Sequence, residues 1–404
     1  MGQFKRYPLV FLTVTEVLLI VGLLIAAFVG FNIGGANTGP AFGPAVGSGV
    51  LSKVIAGSLM SLFFFVGAWT IGRRVVDTLG RELVTSTSIF SLEANVTVLF
   101  FIGGALFLGN YVGVPASTSM TAVGAIAGLG LAANQLAWGV MGRIATWWIV
   151  APIIAFWISG VIGRYFYSQL NRRVALAQSE GALVELDTSG SVPSLKRGPN
   201  TTYRELVGTS IVVVIGCLMA FSAGTSNIAN AIAPLVGSGD LDMNIGIIFG
   251  SIAVGVGALT IARRTLDTLG NDLTQLPLTA AIIVASVSAT IVVALSAIGI
   301  PASFVIIATM SIVGLGWGRA TRTTTVAEGI RGEGTAMSPS ALASDEEGEE
   351  LPDIGEEDPE DIPEASELFN PSTTARVVLM QNLVPMIATA AAYLTFRFVP
   401  IFSF

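Results

Sequence analysis

The chain has no histidine and a single cysteine among its 404 residues, and only 12% of its residues are charged. Without histidine there is no imidazole base, no imidazole proton relay and no histidine-built zinc site. The lone thiol, Cys217, lies inside an apolar run and permits neither an internal disulfide nor a thiolate metal cluster. A soluble domain carries about 25% charged residues, so the charge here is too sparse for an ordinary water-facing surface. No phosphate-cradling nucleotide loop and no basic stretch suited to nucleic acid is present, and neither an enzyme nor a nucleic-acid partner is expected.

What replaces these features is apolar length. Hydrophobic residues make up 52% of the chain and mean hydropathy is +0.76. Continuous apolar segments recur at about 8–32, 44–71, 88–111, 116–136, 144–168, 206–230, 236–262, 278–298, 302–318 and 375–399. Runs of this length suit helices crossing about 30 Å of hydrocarbon, and the absence of alternation argues against strands. The fold class predicted is all-α, a polytopic membrane protein in a lipid bilayer. The run from Pro8 to Phe31 is too long for a signal peptide and reads as the first transmembrane helix.

The chain is also a duplication. Gly34 to Gly49 returns 190 residues later as Gly224 to Gly239, with 8 of 16 paired positions identical. At the same offset, Gly67 to Gly80 matches Gly257 to Gly270, each with an Arg-Arg-x-x-Asp-Thr-Leu-Gly block. Gly113-Val114-Pro115-Ala116-Ser117 answers Gly299-Ile300-Pro301-Ala302-Ser303, and Trp148 to Pro152 weakly answers Asn382 to Pro385. Two repeats follow, 1–169 and 206–404, each with about five transmembrane or re-entrant segments, joined by a hydrophilic linker at 170–205. Five crossings per repeat is odd, so the second copy inserts with inverted topology. The segments around Pro115 and Pro301 either span or re-enter, and parity survives both cases.

Thirteen of the 27 acidic residues lie between Asp345 and Glu367, within a second hydrophilic stretch at 320–374 that reads as disordered. Its composition suits a solvated loop or a partner-binding tail. The face bearing both hydrophilic stretches carries more Arg and Lys than the face bearing Lys5, Arg6, Arg73, Arg74, Arg81, Arg143 and Arg397. It is assigned to the cytoplasm, with both termini outside.

Glycine, proline and small polar residues at matching places in two membrane repeats predict broken helices around a transport site. Pro115 to Ser119 reads as the start of a half-helix whose amides and three hydroxyls, on Ser117, Thr118 and Ser119, could hold an anion. Ser303 repeats the first of these, while Phe304 and Val305 replace the other two. A plain N-cap is the alternative. Asn37 and Asn227 occupy one repeat position, flanked by Thr38, Ser226 and Asn230. Their amides could ligate sodium, donate to an anion, or only satisfy backbone freed by the break. Glu93, about a turn inside its segment, could join a sodium site near Asn37 and Asn227, and Glu16 sits mid-helix in the first segment. Each Arg-Arg block reads as a membrane-boundary anchor closed by a glycine cap, or as a gate.

These paired blocks resemble the inorganic phosphate transporter family. The resemblance rests on Gly34 to Gly49, Gly224 to Gly239, Arg73 to Gly80, Arg263 to Gly270 and Pro115 to Met120, and covers most of the membrane portion. It implies a secondary carrier that moves inorganic phosphate by alternating access with a coupling cation, sodium or a proton. It also implies a homo-oligomer in the cell membrane and no cofactor beyond a possible bound sodium ion. Some members of the family carry sulfate. The family's signature aspartates fall on Asn37 and Asn227, its following asparagine becomes Pro40 in the first copy, and its motif histidine becomes Met120. Losing two carboxylates favours a bare oxyanion and weakens a hard-cation site. A sulfate or related oxyanion permease of the same fold and a non-transporting sensor or scaffold are the competing readings.

Overall fold

The computed structural model describes residues 13–47, 50–111, 117–167, 169–170, 184–187, 194–197, 203–260, 278–320 and 371–402. The loop holding Pro115, the block from Arg263 to Gly270 and nearly all of the acidic stretch lie outside these residues, so the readings made on them have no structural counterpart here.

The described helices are α1 Val14–Gly47, α2 Lys53–Gly67, α3 Arg73–Asp77, α4 Leu92–Tyr111, α5 Thr118–Ala132 and α6 Trp138–Val161, followed by α7 Tyr203–Ser238, α8 Met243–Thr260, α9 Leu278–Ala297, α10 Phe304–Ala320 and α11 Pro371–Phe398. Wide π-turns at Ala68–Gly72 and Thr78–Glu82 carry α2 through α3 without a break, giving one rod over Lys53–Glu82. Seven helices among the described residues are long and apolar enough to cross a bilayer, one in each of the runs Val14–Gly43, Lys53–Glu82, Leu92–Gly109, Trp138–Phe166, Val207–Ser238, Met243–Thr260 and Thr279–Ala297. The chain is a multi-pass membrane protein. Between α6 and α7 a short antiparallel hairpin pairs β1 Val184–Asp187 with β2 Ser194–Arg197, in the segment read from sequence as a hydrophilic linker.

Three sequence expectations are corrected here. The duplicated motifs do not break their helices: α1 runs through Pro40 and Pro44, and α7 runs through Pro234. In hydrocarbon a chain that leaves the helix strands its backbone groups, so one lost N–H costs less than a break. A described non-helical stretch precedes α10 instead, and α5 and α10 run for only 15 and 17 residues. At 1.5 Å per residue, α5 spans about 22 Å. Next, α1 starts at Val14, which places Glu16 in its first turn and not mid-helix. Glu16 and Thr13 form a reciprocal cap: the Thr13 amide donates to Glu16 Oε2 at 2.7 Å, and the Glu16 amide donates to Thr13 Oγ1 at 3.3 Å. Finally, Gly80 ends no helix. A Cβ there would lie 2.5 Å from the Ala233 carbonyl oxygen, so Gly80 exists for contact with α7.

Packing exchanges elements between the two halves. α1 packs on α8 and α2 on α7, while α6 packs on α10 and α11 on α5. Four of the tightest approaches fall in pairs offset by 190. A Cβ on Gly34 would sit 2.0 Å from the Val254 carbonyl oxygen, and one on Gly224 would sit 2.0 Å from that of Phe64. One on Gly67 would sit 2.1 Å from the Phe221 carbonyl, and one on Gly257 would sit 2.0 Å from that of Phe31. No side chain fits at any of these four contacts, which make up two helix crossings, α1 on α8 and α2 on α7. Around them the interior is filled by Ile33, Phe42, Met60, Phe64 and Leu79, all fully buried. Large apolar side chains such as Phe100, Phe107, Ile149 and Trp157 stay exposed, as a lipid-facing surface requires.

Candidate functional site

The motif in α7 meets the start of α5 in a buried cluster of neutral polar groups. Asn227 Oδ1 accepts from the Thr118 hydroxyl at 2.7 Å, the Ser119 hydroxyl at 3.2 Å and the Asn230 amide at 3.2 Å. Ser119 Oγ lies 3.2 Å from Ser226 Oγ. Ser226 in turn donates to the Ala302 carbonyl at 3.0 Å and accepts from the Ala302 amide at 3.2 Å, which pins the loop ahead of α10 to α7. Across the centre, the Asn227 amide donates to Asn37 Oδ1 at 3.5 Å, joining the two copies of one repeat position.

Helix geometry explains why these residues converge. Ser226, Asn227 and Asn230 stand at i, i+1 and i+4 on the inward face of α7, and all are buried. Thr118 and Ser119 occupy the first turn of α5, where amide N–H groups lack intrahelical partners and the helix end carries partial positive charge. Ser117 is the N-cap there: its hydroxyl accepts from the Met120 amide at 3.3 Å. A buried hydroxyl and amide cluster with a helix N-terminus pointing at it can bind a tetrahedral oxyanion. It has no group suited to bond-making chemistry.

The structure sorts the sequence-nominated residues. Thr118, Ser119, Ser226, Asn227, Asn230 and Asn37 come together. Thr38 sits beside them in sequence, but its hydroxyl bonds back to the Gly34 carbonyl at 2.7 Å within α1. Asn37 likewise donates to the Ile33 carbonyl at 2.8 Å, which leaves its Oδ1 turned to Asn227. Ser303 caps the start of α10, 3.5 Å from the Ile306 amide. Glu93 does not join: it is exposed in the first turn of α4, because that helix begins at Leu92 and puts the carboxylate at its outer end. The cluster therefore contains no carboxylate among the described residues. Asn230 Oδ1 is buried with no hydrogen-bond donor among them, a neutral oxygen open to a cation or a protonated ligand oxygen.

Two features escaped the sequence reading. Gln381, fully buried in α11, lies with its Oε1 3.5 Å from the Ser303 hydroxyl. Gln381 and Asn382 are adjacent amides in an apolar stretch of helix, a visible signal because a buried amide demands hydrogen-bond partners. The second is what the first basic block, read from sequence as a boundary anchor or a gate, holds. Arg73 bonds Asn244 Oδ1 at 2.7 Å and lies over the Trp69 ring, and Arg74 bonds the carbonyl of Ala297, the last residue of α9. The first block is thus a clamp on the second half just ahead of Gly299, whose φ of +76° turns the chain toward Ser303.

A family model described as the phosphate transporter family matches residues 33–339. Among individual proteins, the chain is 30% identical to the sulfate permease CysP of Bacillus subtilis, over 73% of this chain and 76% of that one. It is 26% identical to a putative phosphate permease of Chlamydia trachomatis, over 76% of this chain and 91% of that one. The sodium-dependent phosphate transporter 1 of Homo sapiens is 29% identical over 32% of this chain and 21% of its own. A solved structure described as the sodium-dependent phosphate transporter superposes with a TM-score of 0.61 at 17% identity, covering 95% of this chain and all of that one, which shows a shared fold.

Proposed function

The chain belongs to the phosphate transporter family, a family of transporters and not of enzymes, and from that premise we propose that it carries inorganic phosphate across the cell membrane by alternating access, coupled to a cation. The observation that carries the proposal is the hydrogen-bonded knot at Asn227. Three donors converge on its one amide oxygen. An entering oxyanion offers a charged acceptor in place of that neutral one, and hydrogen bonds to charged groups are about twice as strong. Thr118 and Ser119 turn their hydroxyls to it, Ser226 follows through Ser119, and the site then offers the released Asn227 Oδ1 together with Asn37 Oδ1 and the undonated Asn230 Oδ1. Those three neutral oxygens fit a monovalent cation such as sodium, held more weakly than a carboxylate would hold it. Ser117 and Ser303 act by fixing the two helix starts, and Thr38 by bracing α1.

The topology proposed with this function is two inverted repeats, 1–169 and 206–404, with 170–205 and 320–374 cytoplasmic and both termini outside. The exchanged helix pairs and the glycine contacts offset by 190 support a two-fold relation between the repeats. Rocking one exchanged set against the other about α1 and α7 would expose the cluster to each side in turn. Assembly as a homo-oligomer belongs to the same proposal.

A second reading, sulfate as the cargo, is favoured by the 30% identity to a protein named as a sulfate permease and by the lack of any carboxylate in the cluster. A protonated phosphate oxygen needs an acceptor, and sulfate does not. Uptake into proteoliposomes separates the two. Saturable phosphate uptake with sulfate as a weak competitor supports the first reading, the reverse order supports the second, and no saturable uptake of either anion under sodium or proton gradients rules out both.

A further inference from the structure

The two half-sites are unequal. Thr118 and Ser119 on α5 correspond, at an offset of 186, to Phe304 and Val305 on α10. A cavity beside Ser303 is walled by Trp148, Pro152, Leu295, Ala302, Ile306 and Ile307, so Ser303 is the single hydroxyl among the described residues that line it. If the oxyanion binds at the cluster already described, on which this inference rests, its second flank needs a polar group that α10 does not supply.

Gln381 stands where that group is needed. α11 runs parallel to α5: a Cβ on Gly124 would lie 3.1 Å from the Pro385 carbonyl oxygen, and one on Gly128 would lie 2.7 Å from that of Thr389. Four residues along one helix match four along the other. One turn before Pro385 is Gln381, and one turn before Gly124 is Met120, so Gln381 is level with the first turn of α5. From there its Oε1 lies 3.5 Å from Ser303 Oγ at the start of α10. One fully buried amide thereby stands level with the start of α5 while touching the start of α10. The corresponding position in the first repeat, four residues before Pro152, is Trp148, whose indole N–H donates to the Pro301 carbonyl at 2.8 Å. That position braces the backbone in one repeat and carries an amide in the other.

We propose that Gln381 is the specificity-determining residue of the second half-site, contacting the oxyanion directly in place of the hydroxyls missing at Phe304 and Val305. Its N–H donates to an unprotonated oxygen, and its carbonyl accepts from a protonated one. Phosphate in its monohydrogen and dihydrogen forms uses both groups, and sulfate uses only the donor.

The test is proteoliposome uptake of inorganic phosphate, with sulfate as competitor, by the parent and by Gln381→Met, Gln381→Glu and Ser119→Ala. Gln381→Met keeps the volume and removes both polar groups, and its phosphate KM should rise about tenfold, as expected for a lost hydrogen bond to a charged ligand. Its sulfate inhibition constant should rise less, and Vmax should stay within about twofold. Gln381→Glu should make phosphate uptake fall steeply as pH rises through the carboxyl's titration, because the ionised form repels the anion. A purely structural role would produce neither the altered anion ratio nor the new pH dependence. Parent-like KM and pH profile in both Gln381 variants, with uptake still lost in Ser119→Ala, overturns the proposal and leaves the site reading intact. Parent-like uptake in all three removes the site reading and the proposal together. Should Gln381→Met fail to fold, Gln381→Asn decides: its shorter stem withdraws the amide, and an unchanged phosphate KM overturns the proposal.

Discussion

At the residue scale, the decisive feature is the pair of amides at Asn37 and Asn227, where the resemblance to the phosphate transporter family implies carboxylates. Their side chains touch at 3.5 Å, a distance at which two ionised carboxylates would repel strongly unless a cation lay between them. Neutral amides make the contact stable without an ion. The double change Asn37→Asp/Asn227→Asp should therefore steepen the sodium dependence of uptake at constant membrane potential and weaken anion binding at low sodium. Unchanged sodium dependence in that variant would show that these positions do not face the coupling ion. The cluster was half legible in the chain itself. Asn37, Asn227, Ser226 and Ser119 stood out because they recur or adjoin at motif positions, whereas Glu93 stood out by charge alone and proved to be a surface residue at a helix end. Gln381 was missed because its repeat counterpart is an indole, and duplication cannot flag a position whose two copies differ in chemistry.

At the scale of elements, glycine matters more than proline. The repeated Gly-Pro-rich stretches read as helix breaks, yet α1 and α7 continue through them. The glycines are there for contact, since Gly34, Gly67, Gly224 and Gly257 each face a partner carbonyl at a distance no Cβ tolerates. Periodicity in one strand of sequence cannot distinguish a glycine that bends a helix from one that lets a second helix approach, because the distinction depends on the partner. Gly224→Val should displace α2 from α7 and cost about 1–3 kcal/mol or more, as overpacking in a filled interior does. Thermal unfolding in detergent should show a clearly lowered midpoint. Gly104→Val is the control, because a Cβ there meets nothing within 4 Å. Equal stability of the two variants would contradict the contact reading.

At the scale of the whole molecule, the offset of 190 in sequence reappears as paired contacts in space, and that much of the architecture was readable before any coordinates. The exchange of α6 and α11 between halves was not readable, because nothing local in either helix names its partner. Inversion of the repeats makes a separate prediction about sidedness. In a Cys217→Ala background, Ser403→Cys should react with a membrane-impermeant thiol reagent from outside, and Ser179→Cys in the linker should react only after permeabilisation. Labelling of both from the same side would mean an even number of crossings in the second repeat and would remove the inverted arrangement.

The central claim is a location: an oxyanion bound between the first turn of α5 and the Asn227 face of α7. Arsenate and selenate mimic phosphate and sulfate and can be located by their anomalous scattering in crystals of the protein. The account predicts an arsenic or selenium peak whose oxygens lie within about 2.6–3.2 Å of the Thr118 and Ser119 hydroxyls. A peak elsewhere, with those two hydroxyls still bonded to Asn227, would contradict it.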